Sequence, residues 1–551
     1  MPVPASGTAR LLAGGHGGPG ALRPMVDTVL DALAHGAADR GGPLPSGGPA
    51  AVARRIRDAA RPLIPDEGEG PDHALRTLVR ALAYGAADPA DPRCTAHLHC
   101  PPLAVATAAD LAVSALNPSL DSWDQAPAAC ALEALTCRAL AELVHPHGPA
   151  PDALVTTGGT ESNHLALLFA REQARARDTA RPHDTAHPHE TAHPRDTARP
   201  HDTARPHETA HPRDTAHPHD TAPTHDTVPA RETAHAPDAA PAARGAAPGV
   251  RGAGPRRMGG PGTLRVVCGG NAHHSIHRAA WLLGLPAPHT LPTPTGVLDP
   301  AALHTALDRL PDAPTLVVAT AGTTDTGAID PLPEIADVCD HHAATLHIDA
   351  AYGAPLLFSD TLHKRLHGLD RAHTVALDLH KLGWQPVAAG LLAVPDGAAL
   401  APLAHRADYL NADDDTEAGL PDLLGRSLRT SRRPDIFKIA VTLRALGRRG
   451  LGDLVDHVCA AAQHLADLIE TRPGLQLYAR PTLSTVLFRP TGAGPAAVAA
   501  LRRRLLHHGA AVLGRATTPE GLWLKATVLN PHIQPGDLRG LLELVEGNTT
   551  P

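Results

Sequence analysis

The sequence is poor in aromatic side chains: Phe, Trp and Tyr together make up 2% of its 551 residues. Any core must therefore be built from aliphatic residues, and a hydrophobic share of 43% permits one. Cysteine is scarce as well. The seven cysteines are an odd number and none falls in a CxxC pair. That argues against a disulfide framework and against a cysteine zinc site, so no metal centre is expected. Basic charge is not in excess, since the formal net charge is -8. A nucleic-acid partner, which favours a basic face, is not expected. No apolar run is long enough to span a bilayer. The first residues, MPVPASGTARLLAGGHGGPG, lack the basic start and apolar stretch of a secretory signal. No membrane partner is expected, and a soluble, reducing, cytoplasmic setting fits these absences.

What is present divides the chain. Residues 1–48, rich in Gly, Pro and Ala, are expected to be poorly ordered. Residues 49–93 read as an N-terminal helical segment, with apolar positions at helical spacing in AVARRIRDAARPLI and HALRTLVRALAYG. A large domain is expected over 94–400. It opens with helical stretches such as LAVATAADLAVSAL and ACALEALTCRALAELV, then turns to strands alternating with helices. TLRVVCGG, TLVVATAG and TLHIDAAYG are its short buried strands. That alternation implies a parallel sheet with helical crossovers. The hexad DTARPH recurs with small changes inside this domain, and 178–262 is read as a disordered insertion. Proline returns nearly every six residues and apolar bulk is almost absent, so the segment cannot bury a core. Residues 401–551 are expected to form a smaller domain with strands in STVLFRP and LWLKATVL and a helix through LRRRLLHHG.

Four places carry chemistry. In VTTGGTESNHLALLFA a strand ends at Thr156, Gly158 and Gly159 allow close approach of a ligand, and a helix begins near Thr160. A helix N-terminus binds anions, and the Thr160 and Ser162 hydroxyls add donors. In TLHIDAAYG, Asp349 falls at the C-terminal edge of a parallel strand, where ligands bind in such sheets. In ALDLHKLGWQP, Lys381 follows a short apolar strand and is suited to act as a desolvated amine nucleophile. In NAHHSIHRAAWLLG, His273 can stack on an aromatic cofactor, with His274 and His277 as competitors for that role. Taken singly, each has a commoner explanation: a glycine turn, a capping aspartate, a surface lysine, a structural histidine.

In combination and in this order, TTGGTESN, AHHS, ATAGTTDTGAIDPL, HIDAAYG and DLHK resemble the group II pyridoxal-5'-phosphate (PLP) decarboxylases. The resemblance covers roughly 50–177 and 263–545 and is nearest the L-2,4-diaminobutyrate decarboxylase branch. It implies an α/β fold of the type I PLP-enzyme (aspartate aminotransferase-like) kind, with a mostly parallel seven-stranded sheet in the large domain and a smaller C-terminal α/β domain. It implies a homodimer with the active site at the subunit interface. It further implies that Lys381 is the Schiff-base lysine, that Asp349 pairs with the pyridine nitrogen, and that His273 and Ala351 pack on the two ring faces. Gly159, Thr160 and His380 would hold the phosphate, and Thr323 would lie near the cofactor. Tyr409 in ADYLN resembles the mobile-loop tyrosine that returns a proton to the substrate. Arg432, with Arg433 beside it, resembles the arginine that holds the substrate carboxylate.

The segments HLHC and SLDSWDQ would line the substrate cleft. Asp121 or Asp124 would meet a distal ammonium there, with Gln125 adding a hydrogen bond. Helix capping by Ser119 or Asp121 is the competing account. Leu379 stands where relatives commonly have proline. The implied activity is decarboxylation of a small amino-acid substrate, best a diamino acid such as L-2,4-diaminobutyrate. Ornithine or lysine, glutamate or aspartate, and aromatic amino acids are alternatives. So are an aminotransferase or aldehyde synthase on the same fold, and an inactive scaffold.

Overall fold

The computed structural model describes residues 12–179, 263–404, 410 and 412–549. Tyr409 and nearly all of the DTARPH repeats lie outside these residues. The described chain opens with three helices, α1 (Gly18–Arg40), α2 (Gly48–Ala60) and α3 (Pro71–Gly85). The expectation of a poorly ordered segment over 1–48 is corrected by α1. Its buried positions are Gly18, Thr28, Ala32 and Gly36, all too small to register as an apolar stripe. Their smallness lets α1 lie close on α3. A Cβ added at Gly36 would come within 2.6 Å of Ala83. Thr28 donates to Asp72 at 2.8 Å and Arg40 to the Ala83 carbonyl at 2.7 Å.

Helices α4 (Ala104–Leu116) and α5 (Pro127–Val144) lead into the main sheet. Its strands are β1 (Asp152–Thr156), β2 (Arg265–Gly269), β3 (His289–Leu291), β4 (Thr315–Thr320), β5 (Thr345–Asp349), β6 (Thr374–Asp378) and β7 (Gly390–Val394). Their spatial order is β1-β7-β6-β5-β4-β2-β3. The neighbours from β3 to β6 are parallel, while β7 runs antiparallel to both β6 and β1. The chain thus has the α/β fold with a mostly parallel seven-stranded sheet. Helices α6 (Gly159–Thr179), α7 (Ser275–Leu282), α8 (Pro300–Arg309) and α9 (Leu332–His341) make the crossovers. Strands covered on both faces read as continuous apolar runs: all five residues of β6 and of β7 are buried.

After a short helix, α10 (Asp413–Glu417), the long α11 (Ile436–Glu470) bends at Gly447, whose φ of 65° leaves the helical region. A four-stranded antiparallel sheet follows, ordered β10-β11-β9-β8. Its strands are β8 (Leu475–Leu477), β9 (Thr485–Pro490), β10 (Gly514–Thr518) and β11 (Gly521–Thr527), flanked by α12 (Pro495–His507) and α13 (Pro535–Gly547). Helix α11 touches α4 and α5 as well as β8 and β9. A single aliphatic core runs from Val317 and Leu391 of the large sheet to Phe488 and Leu524 of the small one.

Candidate active site

The strand directions put the ends of β1, β2, β4, β5 and β6 on one edge of the large sheet. A cavity of about 280 Å³ opens there, lined by Gly158, Gly159, Thr160, Asn271, His273, Gly322, Thr324, Asp349, Ala351, Asp378, His380 and Lys381, among others. Loops at the carboxyl ends of parallel strands converge because each strand hands over to its crossover at that edge. Motifs far apart in sequence therefore meet.

The turn after β1 is built for close approach. Gly158 has a φ of 146°, and a Cβ there would lie 2.9 Å from the His380 ring. A Cβ on Gly159 would lie 2.8 Å from the Ala351 methyl and 3.3 Å from an Asp378 carboxylate oxygen. Glycine at both positions leaves the cradle open. Helix α6 starts at Gly159, so its first N–H groups lack intrahelical partners, an arrangement that suits an anion. The Ser162 hydroxyl does not contribute. It is buried and engages Thr156 Oγ1 at 2.8 Å and the Leu391 carbonyl at 3.0 Å.

Lys381 follows β6 by three residues, and its Nζ lies 2.8 Å from Asp378 Oδ2. Asp378 Oδ1 is buried and has no hydrogen-bond partner among the described residues. His380 takes the Ala389 N–H on Nδ1 at 3.3 Å, which leaves Nε2–H towards Asp378, 3.5 Å away. Burial depresses the proton affinity of His380, against the pull of Asp378.

Asp349 ends β5 and is held by two donors, the Ala351 N–H at 3.1 Å and Asn163 Nδ2 at 2.8 Å. Asn163 is completely buried and also donates to Ser275 Oγ at 2.8 Å. Its carbonyl oxygen faces His347 Nε2 at 2.9 Å. Burial pushes the His347 imidazole down to about 4, so the ring is neutral. His347 Nδ1 lies 2.9 Å from the Thr374 hydroxyl and 3.1 Å from the Thr374 carbonyl. From the other ring nitrogen onward the donations run one way. His347 Nε2–H donates to Asn163, and Asn163 donates to Asp349 and Ser275. Ser275 donates to His273 Nδ1 at 2.9 Å. His273 is thereby fixed with its proton on Nε2, and burial lowers its proton affinity too.

Of the three competing histidines, His273 lines the cavity. His274 caps α7 beside a neighbouring hollow, and His277 is exposed. Leu98, from HLHC, also lines the cavity. Thr323 does not present its hydroxyl there. It bonds Thr326 Oγ1 at 2.8 Å and accepts the Ala328 N–H, while Gly322 and Thr324 on either side face the cavity.

Three expected substrate residues lie elsewhere in this chain. Arg432, 3% exposed, makes a two-pronged ion pair with Glu133 at 2.6 and 2.7 Å. Removing one partner of such a pair costs about 3–5 kcal/mol; Arg432 does not line the cavity in this chain and braces α5 against the start of α11. Arg433 is also committed, to Asp110 at 2.7 Å. Asp121 and Gln125 do not line the cavity. Gln125 donates to Ser122 Oγ, and Asp121 Oδ2 accepts from Ser431 at 3.3 Å while its Oδ1 is buried and unpaired.

Asn163, Ser275, His347, Asp378 and Lys525 were missed by the sequence reading. Asn163 lies four residues after Gly159, on the same helical face, which is the one signal available. Lys525, 7% exposed on β11, reaches the Thr324 carbonyl at 3.0 Å.

A cavity with a glycine cradle, a held carboxylate, a lysine and an orphaned buried oxygen fits a phosphorylated pyridine cofactor. Comparison with known proteins agrees. The family model described as "Pyridoxal-dependent decarboxylase conserved domain" matches residues 248–491. The chain is 33% identical to the L-2,4-diaminobutyrate decarboxylase of Rhizobium meliloti (strain 1021), over 95% of this chain and 90% of that protein. It is 28% identical to the enzyme of the same name from Acinetobacter baumannii, over 87% and 84% of the two chains. A solved structure is similar with a TM-score of 0.75 and 26% identity, over 99% of both chains. It is the glutamate decarboxylase domain of diaminobutyrate-pyruvate transaminase and L-2,4-diaminobutyrate decarboxylase from Vibrio parahaemolyticus.

Proposed function

Since this chain belongs to the group II pyridoxal-dependent decarboxylases and is a PLP-dependent amino-acid decarboxylase, we propose that its substrate is a small diamino acid, L-2,4-diaminobutyrate, converted to a diamine and CO2. The observation that carries this reading is the 33% identity to a diaminobutyrate decarboxylase, sustained over 95% of the chain.

PLP, when bound, supplies the electron sink for the bond between Cα and the carboxylate. The chain's own residues do the rest. Lys381 is the amine that would carry the cofactor. Asp349 would meet the pyridine nitrogen, where a charge-assisted hydrogen bond would strengthen the sink. Asn163 and the Ala351 N–H keep that carboxylate aimed. Gly159, Thr160 and His380 would hold the phosphate, and His273 and Ala351 would pack on the two ring faces. Tyr409, outside the described residues, would return the proton to Cα.

The acting unit in this reading is a homodimer in the cytoplasm. Leu63, Ile64, Leu82, Leu116 and Leu135 are 76%, 90%, 65%, 77% and 67% exposed, and a second copy would cover such apolar side chains. Asp121 and Gln125 would then reach the substrate from the partner subunit. No described helix is long and apolar enough to cross a membrane.

The test is CO2 release by the PLP-loaded enzyme on diaminobutyrate, ornithine, lysine, glutamate, aspartate and aromatic amino acids. Diaminobutyrate should exceed the rest in kcat/KM by at least tenfold. A clear preference for an acidic or aromatic substrate would overturn the assignment.

A further inference from the structure

A second constellation of ligand-type side chains lies away from the cofactor cavity. His304 sits on α8, His341 closes α9, and His342 follows it. One nitrogen from each ring lies within 4.8 Å of the other two. His342 Nε2 and His304 Nδ1 are 3.0 Å apart. Asp308, one turn beyond His304 on α8, has carboxylate oxygens 3.6 Å from His304 Nε2 and 3.8 Å from His342 Nε2. We propose that His304, His341 and His342, supported by Asp308, form a binding site for a divalent transition-metal ion of the zinc, nickel or copper class.

The geometry suits such an ion. Ligand nitrogens about 2.0–2.1 Å from a tetrahedral metal stand a little over 3 Å from one another. The His304–His342 pair, 3.0 Å apart, is close to that spacing, and His341 is exposed, with a ring nitrogen within 4.8 Å of both. Imidazole nitrogens select zinc, nickel or copper, whereas magnesium and calcium demand oxygen ligands. With His304 bound through Nδ1, its Nε2–H points at Asp308. Metal-bound histidines commonly donate that second N–H to a carboxylate, which fixes the tautomer. Asp340, the other nearby carboxylate, is turned away and pairs with Arg371 at 2.5 Å. His304 is 43% exposed, so an ion has access from solvent.

The location assigns the ion a bracing role. His342 precedes β5, whose far end carries Asp349, so the cluster sits at the opposite edge of the sheet from the cofactor cavity. A five-residue strand is about 16 Å long. The bound metal would tie α8 to α9, neighbours already in contact, without touching the reaction.

The test uses the full-length PLP-loaded enzyme with Zn²⁺ and Co²⁺ as probes. The readout is the difference between the parent and the H304A/H342A variant, so that any metal taken up elsewhere in the chain cancels. The variant should lose one equivalent of Co²⁺ and the Zn²⁺-induced rise in Tm. Without metal it should keep the parent's Tm and decarboxylase rate. Asp308→Asn should weaken binding by about tenfold. Anomalous diffraction at the zinc edge should place a peak between the three rings. Equal stoichiometry and equal Tm response in parent and variant, or no peak between the rings, would overturn the proposal.

Discussion

Replacing Asn163 with alanine probes the network behind the cofactor carboxylate. The substitution removes three hydrogen bonds: to Asp349 Oδ2 at 2.8 Å, to Ser275 Oγ at 2.8 Å, and from His347 Nε2 at 2.9 Å. His347 is completely buried, so its N–H is left without a partner, at a cost of about 1–3 kcal/mol. The bond to the Asp349 carboxylate involves a charged group and is worth about 1.5–3 kcal/mol. Stability should therefore fall by about 2.5–6 kcal/mol. The catalytic effect is narrower. If roughly half of the lost carboxylate bond is felt at the pyridine nitrogen, kcat falls about three- to tenfold, at about 1.4 kcal/mol per decade. Cofactor retention on dialysis should weaken in parallel. Ser275→Ala is the control, because it frees His273 but leaves Asp349 held, and its cost should be smaller. The assay is kcat and KM by CO2 release, with cofactor content and Tm measured on the same preparations. An Asn163→Ala enzyme with kcat and cofactor retention within twofold of the parent would refute the assigned direction of donation.

Other perturbations separate the remaining roles. Lys381→Ala should abolish turnover and the visible absorption of bound cofactor; sustained CO2 release would sink the role of this lysine. Arg432→Ala should cost about 3–5 kcal/mol of stability, because Glu133 is left buried and unpaired. A variant with unchanged Tm and a raised KM alone would restore Arg432 as a substrate anchor. Stability should also depend on pH through His347. Its folded-state proton affinity lies below the ordinary value of 6.5, so the unfolded chain binds the proton first as pH falls. The neutral ring's contribution is complete above about 6.5 and is lost as pH drops towards 4. His347→Gln should flatten that part of the Tm–pH curve, and an unchanged curve would show that another group dominates.

Much of this protein was legible in its residues. Short apolar strands alternating with helices define a parallel sheet whichever way the chain is later packed. Glycines at 158 and 159, Asp349 and Lys381 each end or follow a strand, and loops at one sheet edge must meet. The convergence of those motifs with His273 on one cavity therefore follows from local pattern plus topology. Helix α1 was not legible, because its buried face is glycine, alanine and threonine rather than a stripe of large apolar side chains.

Tertiary structure alone decided the partners. Nothing around Arg432 announces that Glu133, 299 residues away, will neutralise it, and a motif match cannot distinguish a free guanidinium from a sealed one. Asn163 and His347, 184 residues apart, become a relay only because α6 crosses over β5. The imidazoles of His304, His341 and His342 meet only because α8 packs beside α9. Hydrogen bonds and ion pairs depend on ångström-scale approach between distant segments, and sequence spacing carries that information only within one element.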